Sequence, residues 1–183
     1  MRRSLLWALC GVPLLFGCKE APAPRQLPAL APGQSFIAFE RDFAGFRDWA
    51  RVPVPKEARA AGITHTAGRR NEWINVKPPK HASVFPVGTI LIKEIEAGMP
   101  ENHKIFAMVK RGGGYNPEGA KGWEWFELFE RSTGELGIQW RGINAPVGES
   151  YGSGDPFGGC NGCHETAQSN DYVKAEAASL QRL

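Results

Sequence analysis

Hydrophobic residues between positions 36 and 50 recur at the spacing of one helical face. They lie three or four residues apart: Phe36, Phe39, Phe43, Phe46 and Ala50. This spacing predicts an amphipathic helix. Gly45 weakens the helix and Pro53 stops it, so the helix is expected to be short or divided in two.

Five segments farther along have the composition of β-strands. They are rich in β-branched and aromatic residues, and turns containing glycine or proline separate them. Their ranges are 72–76, 89–94, 104–110, 123–130 and 137–141. A loop over 142–159 and a closing helix over about 166–180 are expected to follow. The pattern therefore predicts an α+β domain, mainly an antiparallel β-sheet with flanking helices.

Strand alternation assigns side chains to the two faces of this sheet. Trp123, Trp125 and Glu127 share one face, and the aromatic residues are interpreted as core packing. Upstream, Lys93 shares a face with the apolar Leu91. A lysine among apolar neighbours either reaches into a pocket or extends its amine to solvent at a strand end.

The N-terminal segment has the features of a lipoprotein signal. Two arginines precede a mostly apolar stretch over 4–16, shorter than the ~20 residues that span a bilayer. A Leu-Phe-Gly sequence then leads to Cys18, the expected lipidation site. We expect residues 1–17 to be removed, with an ordinary secretion signal as the alternative. Lys19 favours anchoring on the periplasmic side of the outer membrane.

Residues 18–34 are predicted to form a proline-rich tether, since Pro22, Pro24, Pro28 and Pro32 favour extended conformations. The remainder, 35–183, suffices for one compact domain and is too short for two. Loss of two arginines with the signal leaves 22 − 2 = 20 basic and 19 acidic residues, a net charge of +1. The interspersed charges do not indicate nucleic-acid binding.

The chemistry of the chain centres on Cys160-Asn161-Gly162-Cys163-His164. This C-x-x-C-H spacing is the attachment sequence of c-type haem. The two cysteines form thioethers with the haem vinyl groups, and the histidine that follows supplies an axial nitrogen to the iron. We therefore expect one covalent haem c held by Cys160, Cys163 and His164.

A zinc site and a redox-active dithiol are weaker alternatives. Zinc usually takes four protein ligands, yet no third cysteine is left once Cys10 is cleaved off and Cys18 is lipidated. The other histidines are scattered along the chain: His65, His81 and His103. A redox C-x-x-C normally begins a helix after an early strand, whereas this motif lies near the C-terminus.

The ligand opposite His164 decides between electron transfer and the binding of small molecules. No methionine or histidine follows His164. In an electron carrier, an upstream residue such as Met99, Met108 or one of the histidines would have to reach the iron. Their spacing favours none of them, and Met108 is expected to pack within a strand.

Several short motifs occur in a recognisable order. They are Phe46-Arg47-Asp48-Trp49, Arg70 before Trp73-Ile74-Asn75, Phe85-Pro86-Val87-Gly88-Thr89, Ile92-Lys93-Glu94, Trp123-Glu124-Trp125-Phe126, and the C-x-x-C-H motif followed by Asp171-Tyr172-Val173. In this order the chain resembles the cytochrome P-460 family, which includes the cytochromes c-prime-beta. The resemblance implies an antiparallel β-sheet domain with helices, usually a homodimer, that holds a five-coordinate haem.

The same resemblance assigns candidate pocket residues. Some members oxidise hydroxylamine and carry a lysine joined to the porphyrin rim, whereas others bind nitric oxide in an apolar pocket. Lys93 matches the linking lysine, and Arg70 matches a pocket arginine of the oxidising members. The carboxylate that those members place near the iron, suited to accepting protons, falls at Phe106 in this chain. A phenylalanine cannot move protons, but it can form an apolar lid over a neutral gas.

These observations predict an exported mono-haem cytochrome that binds or detoxifies nitric oxide or related nitrogen oxides. One alternative is a hydroxylamine oxidoreductase that passes electrons to a periplasmic acceptor. Another is a simple periplasmic electron carrier. The sequence leaves open whether the chain is an enzyme.

Overall fold

The computed structural model of the protein describes residues 25–54, 68–96, 103–144, 146 and 159–182. The predicted signal peptide, Cys18, His65 and Met99 lie outside these residues, as does most of the loop predicted over 142–159.

A six-stranded antiparallel sheet forms the centre of the domain. Each strand pairs with the next one along the chain, so the spatial order is β1-β2-β3-β4-β5-β6. The strands are β1 (Ala50–Val52), β2 (Arg69–Ile74), β3 (Ile90–Glu96), β4 (Lys104–Lys110), β5 (Trp123–Glu130) and β6 (Leu136–Gly142). The expected fold class, mainly antiparallel β with short flanking helical segments, is confirmed.

The helical segments are short. Helix α1 (Glu40–Phe43) is separated from a 3₁₀ turn (Phe46–Asp48) by Gly45, whose φ of 65° lies in the left-handed region that glycine adopts readily. The expected division of this helix is therefore confirmed, although Ala50 begins β1 instead of extending the helix. Helix α2 (Cys160–Glu165) carries the C-x-x-C-H motif. No helix among the described residues is long and apolar enough to cross a membrane.

The predicted closing helix over 166–180 is wrong. That segment contains two 3₁₀ turns, Gln168–Asn170 and Glu176–Ala178, and between them Asp171 and Tyr172 have positive φ values. Long-range hydrogen bonds to Asp171 from two strand residues, Lys110 and Trp123, and from Phe85 in the β2–β3 connection hold the non-helical backbone. A local pattern of helix-forming residues does not record such contacts.

The sheet has two covered faces. The N-terminal face packs against α1 and the first 3₁₀ turn through a cluster that includes Phe43, Phe46, Trp73, Ile92 and Phe126. The C-terminal face packs against the chain after α2 through a cluster that includes Leu91, Met108, Trp123, Trp125, Tyr172 and Val173. Trp125 and Phe126 thus lie on opposite faces, as strand alternation predicted.

The segment before residue 35 also contacts the domain. Arg25 donates hydrogen bonds to the carbonyl oxygens of Asp42 and Ala44, at 3.1 and 2.8 Å. Its guanidinium lies 4.8 Å from the centre of the Trp49 ring. Residues 25–34 contain neither helix nor strand.

Candidate functional site

The C-x-x-C-H motif forms a single short helix on the C-terminal face. Gly159 precedes α2 in an extended conformation, and Cys160 and Cys163 are both partly exposed. A spacing of three residues puts the two sulfurs on the same side of the helix. Lys174 Nζ lies 3.4 Å from Cys163 Sγ and donates to the Cys163 carbonyl oxygen at 3.2 Å.

The imidazole of His164 is oriented by a backbone acceptor. Its Nδ1 lies 2.7 Å from the carbonyl oxygen of Tyr172. A carbonyl oxygen only accepts, so Nδ1 carries the proton and Nε2 keeps its lone pair for a metal. His164 is partly exposed, but its imidazole ring is buried. This burial lowers the pKa of the ring to about 3, and the nearby positive charge of Lys93 lowers it further. The imidazole is therefore neutral at physiological pH.

Trp125 lies beside the same ring. The centres of the indole and imidazole rings are 4.6 Å apart, and their planes are tilted by 50°. Trp125 belongs to β5, so this contact joins the helix that carries the motif to the middle of the sheet. The sequence analysis interpreted the Trp125 side chain as core packing, and the structure shows that it also contacts the candidate ligand His164.

Asn161 is the first variable residue of the motif. It holds α2 against the sheet and against the loop between β4 and β5. Its Oδ1 accepts hydrogen bonds from Asn116 Nδ2 at 2.7 Å, Trp125 Nε1 at 3.0 Å and the Ala120 amide at 3.2 Å. Its Nδ2 donates to Asn116 Oδ1 at 3.0 Å. Gly119 makes room for this arrangement, because a Cβ at that position would overlap the Asn161 side chain. The C-x-x-C-H pattern alone does not predict these contacts.

Strand pairing brings the candidate pocket residues together on the C-terminal face. Lys93 in β3 is paired with Glu72 on one side and with Phe106 on the other, and Phe106 is paired in turn with Glu127 of β5. These residues alternate with the apolar residues of the N-terminal face, so they share the C-terminal face with Met108 and Trp125. Arg70 lies two residues before Glu72 on the same face of β2.

The electrostatics of Lys93 indicate that its amine lies near the motif. Burial lowers the pKa of Lys93 to about 8; Glu72 acts against this shift, and the positive charge of Arg70 adds to it. Cys163 and Cys160 act in the same direction as Glu72 and raise this pKa through the negative charge of their thiolate forms. Lys93 is at the middle of β3 and only partly exposed, which favours the pocket over an amine extended to solvent.

Glu127 is a buried carboxylate that the sequence analysis did not assign a role. Its side chain is 5% exposed and accepts hydrogen bonds from Lys104 Nζ at 2.7 Å and Trp140 Nε1 at 2.9 Å. Because β4 contains no acidic residue, the carboxylate nearest to Phe106 along the sheet comes from the neighbouring strand. Alternation along β5 predicted that Glu127 shares a face with Trp123 and Trp125. Only the pairing of β4 with β5 showed that it lies opposite Phe106.

The alternative axial ligands differ in position. His103 Nε2 lies 3.1 Å from Glu94 Oε1, and Glu94 shares the N-terminal face with Ile92, so His103 is on the side of the sheet away from α2. Met108 packs on the C-terminal face between Leu91 and Trp125 in the strand register. His81 is exposed in a loop with a φ of 67°.

The donor set of α2 matches the requirements of a covalently attached haem. Two cysteine side chains on one helical turn are suited to two thioethers, and the neutral His164 imidazole has Nε2 available as an axial ligand. Within the described ranges, no group of three or more His, Cys, Asp or Glu side chains is arranged to hold a metal ion by itself. No protein-family model, curated protein or solved structure matches this chain.

Proposed function

We propose that this protein is a mono-haem c-type cytochrome that binds or detoxifies nitric oxide or related nitrogen oxides. Cys160 and Cys163 would hold the haem through thioethers, and His164 Nε2 would ligate the iron. One observation carries the proposal: helix α2 and the aromatic side chain of Phe106 lie on the same face of the sheet. The His164 Nε2 atom of that helix is available to a metal. The resemblance to the cytochrome P-460 family supports the same assignment.

The bound haem would supply a coordination position opposite His164 for a diatomic ligand. The chain's own contribution is the environment of that ligand. Phe106 offers an apolar surface that disfavours water and polar ligands, whereas it costs little to place a neutral gas against it. Arg70 and Lys93 bring positive charge to the same face, which a neutral diatomic molecule tolerates better than a cationic substrate does.

One observation favours hydroxylamine oxidation as a second candidate function. The pKa of Lys93 is lowered to about 8, so about a tenth of its amine is neutral and nucleophilic at pH 7, a far larger share than in an ordinary lysine. Lys93 lies on the sheet face that packs against helix α2. Glu127, paired with Phe106 across β4 and β5, offers a carboxylate for proton transfer if the aromatic ring moves aside.

The absorption spectrum of the purified protein, with and without nitric oxide, tests the proposal. We expect a c-type pyridine haemochrome that is lost in the double variant Cys160→Ala/Cys163→Ala, and a ferrous spectrum that changes on addition of nitric oxide. A colourless protein would refute haem attachment. Ferrous protein that binds neither carbon monoxide nor nitric oxide would support the electron carrier, with Met108 as the first ligand to test.

The same spectra separate the two ligand-binding candidates. A strongly red-shifted ferrous Soret band that Lys93→Ala abolishes would establish a lysine cross-link and favour the oxidoreductase. A Soret band of ordinary c-type position, unchanged in Lys93→Ala, would favour the nitric oxide protein. Arg70→Gln is the matched control, because it removes a positive charge from the same face but offers no amine for a cross-link.

The location and partners of the protein are part of the proposal. Lipidation of Cys18 would anchor the domain on the periplasmic side of the outer membrane, and each buried methylene would add ~0.8 kcal/mol of membrane affinity. A homodimer and a periplasmic electron acceptor are the expected protein partners. Cys18→Ser should release the haem-loaded protein from the membrane fraction, and a variant that stays in that fraction would contradict the anchor.

A further inference from the structure

Two consecutive residues after α2 adopt an unusual backbone conformation. Asp171 and Tyr172 have φ values of 49° and 68°, in the left-handed region that residues with a Cβ seldom occupy. Aspartate is among the few side chains that tolerate it, whereas an aromatic residue there is a genuine outlier. Their amides donate to the carbonyl oxygens of Gln168 and Ala167, at 3.0 and 2.8 Å, so the chain turns back toward α2. The turn directs the Tyr172 carbonyl to His164 Nδ1.

The Asp171 carboxylate is held by one partner from strand β4 and one from the connection between β2 and β3. Its Oδ1 accepts from Lys110 Nζ at 2.7 Å, and its Oδ2 accepts from the Phe85 amide at 2.9 Å. Both side chains of the ion pair are buried, with exposures of 10% for Lys110 and 5% for Asp171. Lys110 also donates to the carbonyl oxygen of Lys121 at 3.0 Å. A buried ion pair with these additional hydrogen bonds is the arrangement in which removal of one partner is most disruptive.

The backbone of Asp171 has an anchor of its own. Trp123 Nε1 donates to the Asp171 carbonyl oxygen at 2.7 Å, and the Lys110 ammonium lies 5.0 Å from the centre of the same indole ring. Three contacts from distant parts of the chain therefore converge on one residue. Neither sequence spacing nor the haem motif requires them, and all three fix the turn that ends at the Tyr172 carbonyl.

We propose that Asp171 is a positioning residue for His164. Its contacts with Lys110, Phe85 and Trp123 hold the left-handed turn, and the turn keeps the Tyr172 carbonyl as the acceptor for His164 Nδ1. A hydrogen bond at Nδ1 fixes the tautomer and raises the basicity of Nε2, so this connection controls how strongly the imidazole donates electrons to a metal. The inference rests on the haem ligation by His164 in the proposed function.

The test compares Asp171→Asn and Asp171→Ala in the haem-loaded protein. Asparagine tolerates the left-handed conformation and keeps an acceptor for the Phe85 amide, but its NH2 group replaces the oxygen that accepts from Lys110, so it removes the ion pair alone. Alanine removes the ion pair and the acceptor for the Phe85 amide. We expect the iron–histidine stretching frequency of the ferrous protein to fall and the midpoint potential to rise, with a larger shift for alanine. Lys110→Met, which removes the other partner, should shift both readouts in the same direction.

Glu124→Gln is the matched control. Glu124 is a buried carboxylate that pairs with Arg141 on the N-terminal face, away from His164. We expect Glu124→Gln to lower the stability of the domain. The iron–histidine stretching frequency and the midpoint potential should keep their wild-type values. Wild-type values in both Asp171 variants, or equal shifts in Glu124→Gln, would overturn the positioning role.

A readout without haem keeps this inference separate from the proposed function. If the chain carries no haem, the proposed function fails, and the ¹⁵N shifts of the His164 imidazole in the same full-length protein still decide the role of Asp171. We expect a fixed Nδ1–H tautomer in the wild type and a mixture of tautomers in Asp171→Ala. An unchanged tautomer in Asp171→Ala would refute the inference.

Discussion

The indole of Trp125 lies beside the imidazole of His164 and is itself hydrogen-bonded to Asn161, three residues before that histidine. A single strand residue thus contacts both the candidate axial ligand and the residue that fixes the start of its helix. The C-x-x-C-H motif is therefore held in place by the sheet rather than displayed on a free loop.

Asn161→Ala tests this connection. The variant leaves Trp125 Nε1, the Ala120 amide and Asn116 Nδ2 without their shared acceptor. An unsatisfied buried donor costs about 1–3 kcal/mol, and water can replace part of the loss, so we expect the free energy of unfolding to fall by about 2–3 kcal/mol. Urea denaturation measures this change.

The control for Asn161 is the exposed Gln168 in the 3₁₀ turn that follows α2. Gln168→Ala should change the free energy of unfolding by less than about 0.5 kcal/mol. We also expect a lower ratio of haem to protein in Asn161→Ala than in Gln168→Ala. Equal stability in the two variants would show that the Asn161 contacts do not hold the helix.

The partly buried Lys93 predicts a dependence of stability on alkaline pH. As an unlinked amine its pKa is lowered from 10.5 to about 8, because burial disfavours the charged form. Between these two values the unfolded chain holds a proton that the folded chain releases, so the free energy of unfolding rises with pH across this window. Below the folded value both states are protonated, and the full penalty of burying the charge applies.

Comparison with Lys93→Met isolates this contribution, since other groups titrate in the same range. We expect the wild type to gain on the order of 3 kcal/mol relative to Lys93→Met as the pH rises through the window. Denaturation curves at several pH values give the difference. Parallel pH profiles for the two proteins would mean that Lys93 is either solvated or already covalently linked, and the absorption spectrum distinguishes these two cases.

Phe106 predicts the selectivity of the pocket. Phe106→Gln puts a hydrogen-bonding amide between Lys93 and Glu127, which favours an ordered water in the pocket. Nitric oxide would have to displace this water and cannot replace its hydrogen bonds, each worth about 0.5–1.5 kcal/mol, so we expect the affinity for nitric oxide to fall about tenfold. Phe106→Leu preserves an apolar lid and should keep the wild-type affinity. Equal losses in the two variants would assign the effect to ring size instead of polarity.

The Glu124 carboxylate on the N-terminal face is expected to dominate the electrostatic stability of the sheet. Only 2% of its side chain is exposed, and it accepts from Arg141 Nε and Nη2, each at 2.8 Å, and from Arg111 at 3.2 Å. Glu124→Ala leaves two guanidinium groups without their shared partner, so we expect a loss of about 3 kcal/mol by thermal or urea unfolding.

Glu40 provides the comparison, since it forms an exposed ion pair with Arg131. Solvent screens that pair, so Glu40→Ala should have a much smaller effect than Glu124→Ala. Comparable losses would indicate that the hydrogen bond from the Ile138 amide to Glu40, not the ion pair, stabilises that side of the sheet.

Local patterns determined much of the architecture. The bounds predicted for β4 and β5 agree with the structure, because two-residue alternation and flanking turns are properties of the segment itself. Gly45 was recognised as the interruption of the first helix for the same reason. The grouping of Cys160, Cys163 and His164 was also readable from the sequence, since their spacing is a property of one helical turn, and their haem chemistry stays a prediction.

Tertiary structure alone decided what surrounds that motif. The turn at Asp171 replaced the predicted helix because Lys110, Phe85 and Trp123, which are 48 to 86 residues away along the chain, bind it. The pairing of Glu127 with Phe106 likewise depended on strand register. Such contacts exist only after the sheet has formed, and no periodicity within a segment encodes them. The sequence by itself therefore determined which chemical groups the protein carries and most of its strands, and folding decided which of those groups face one another.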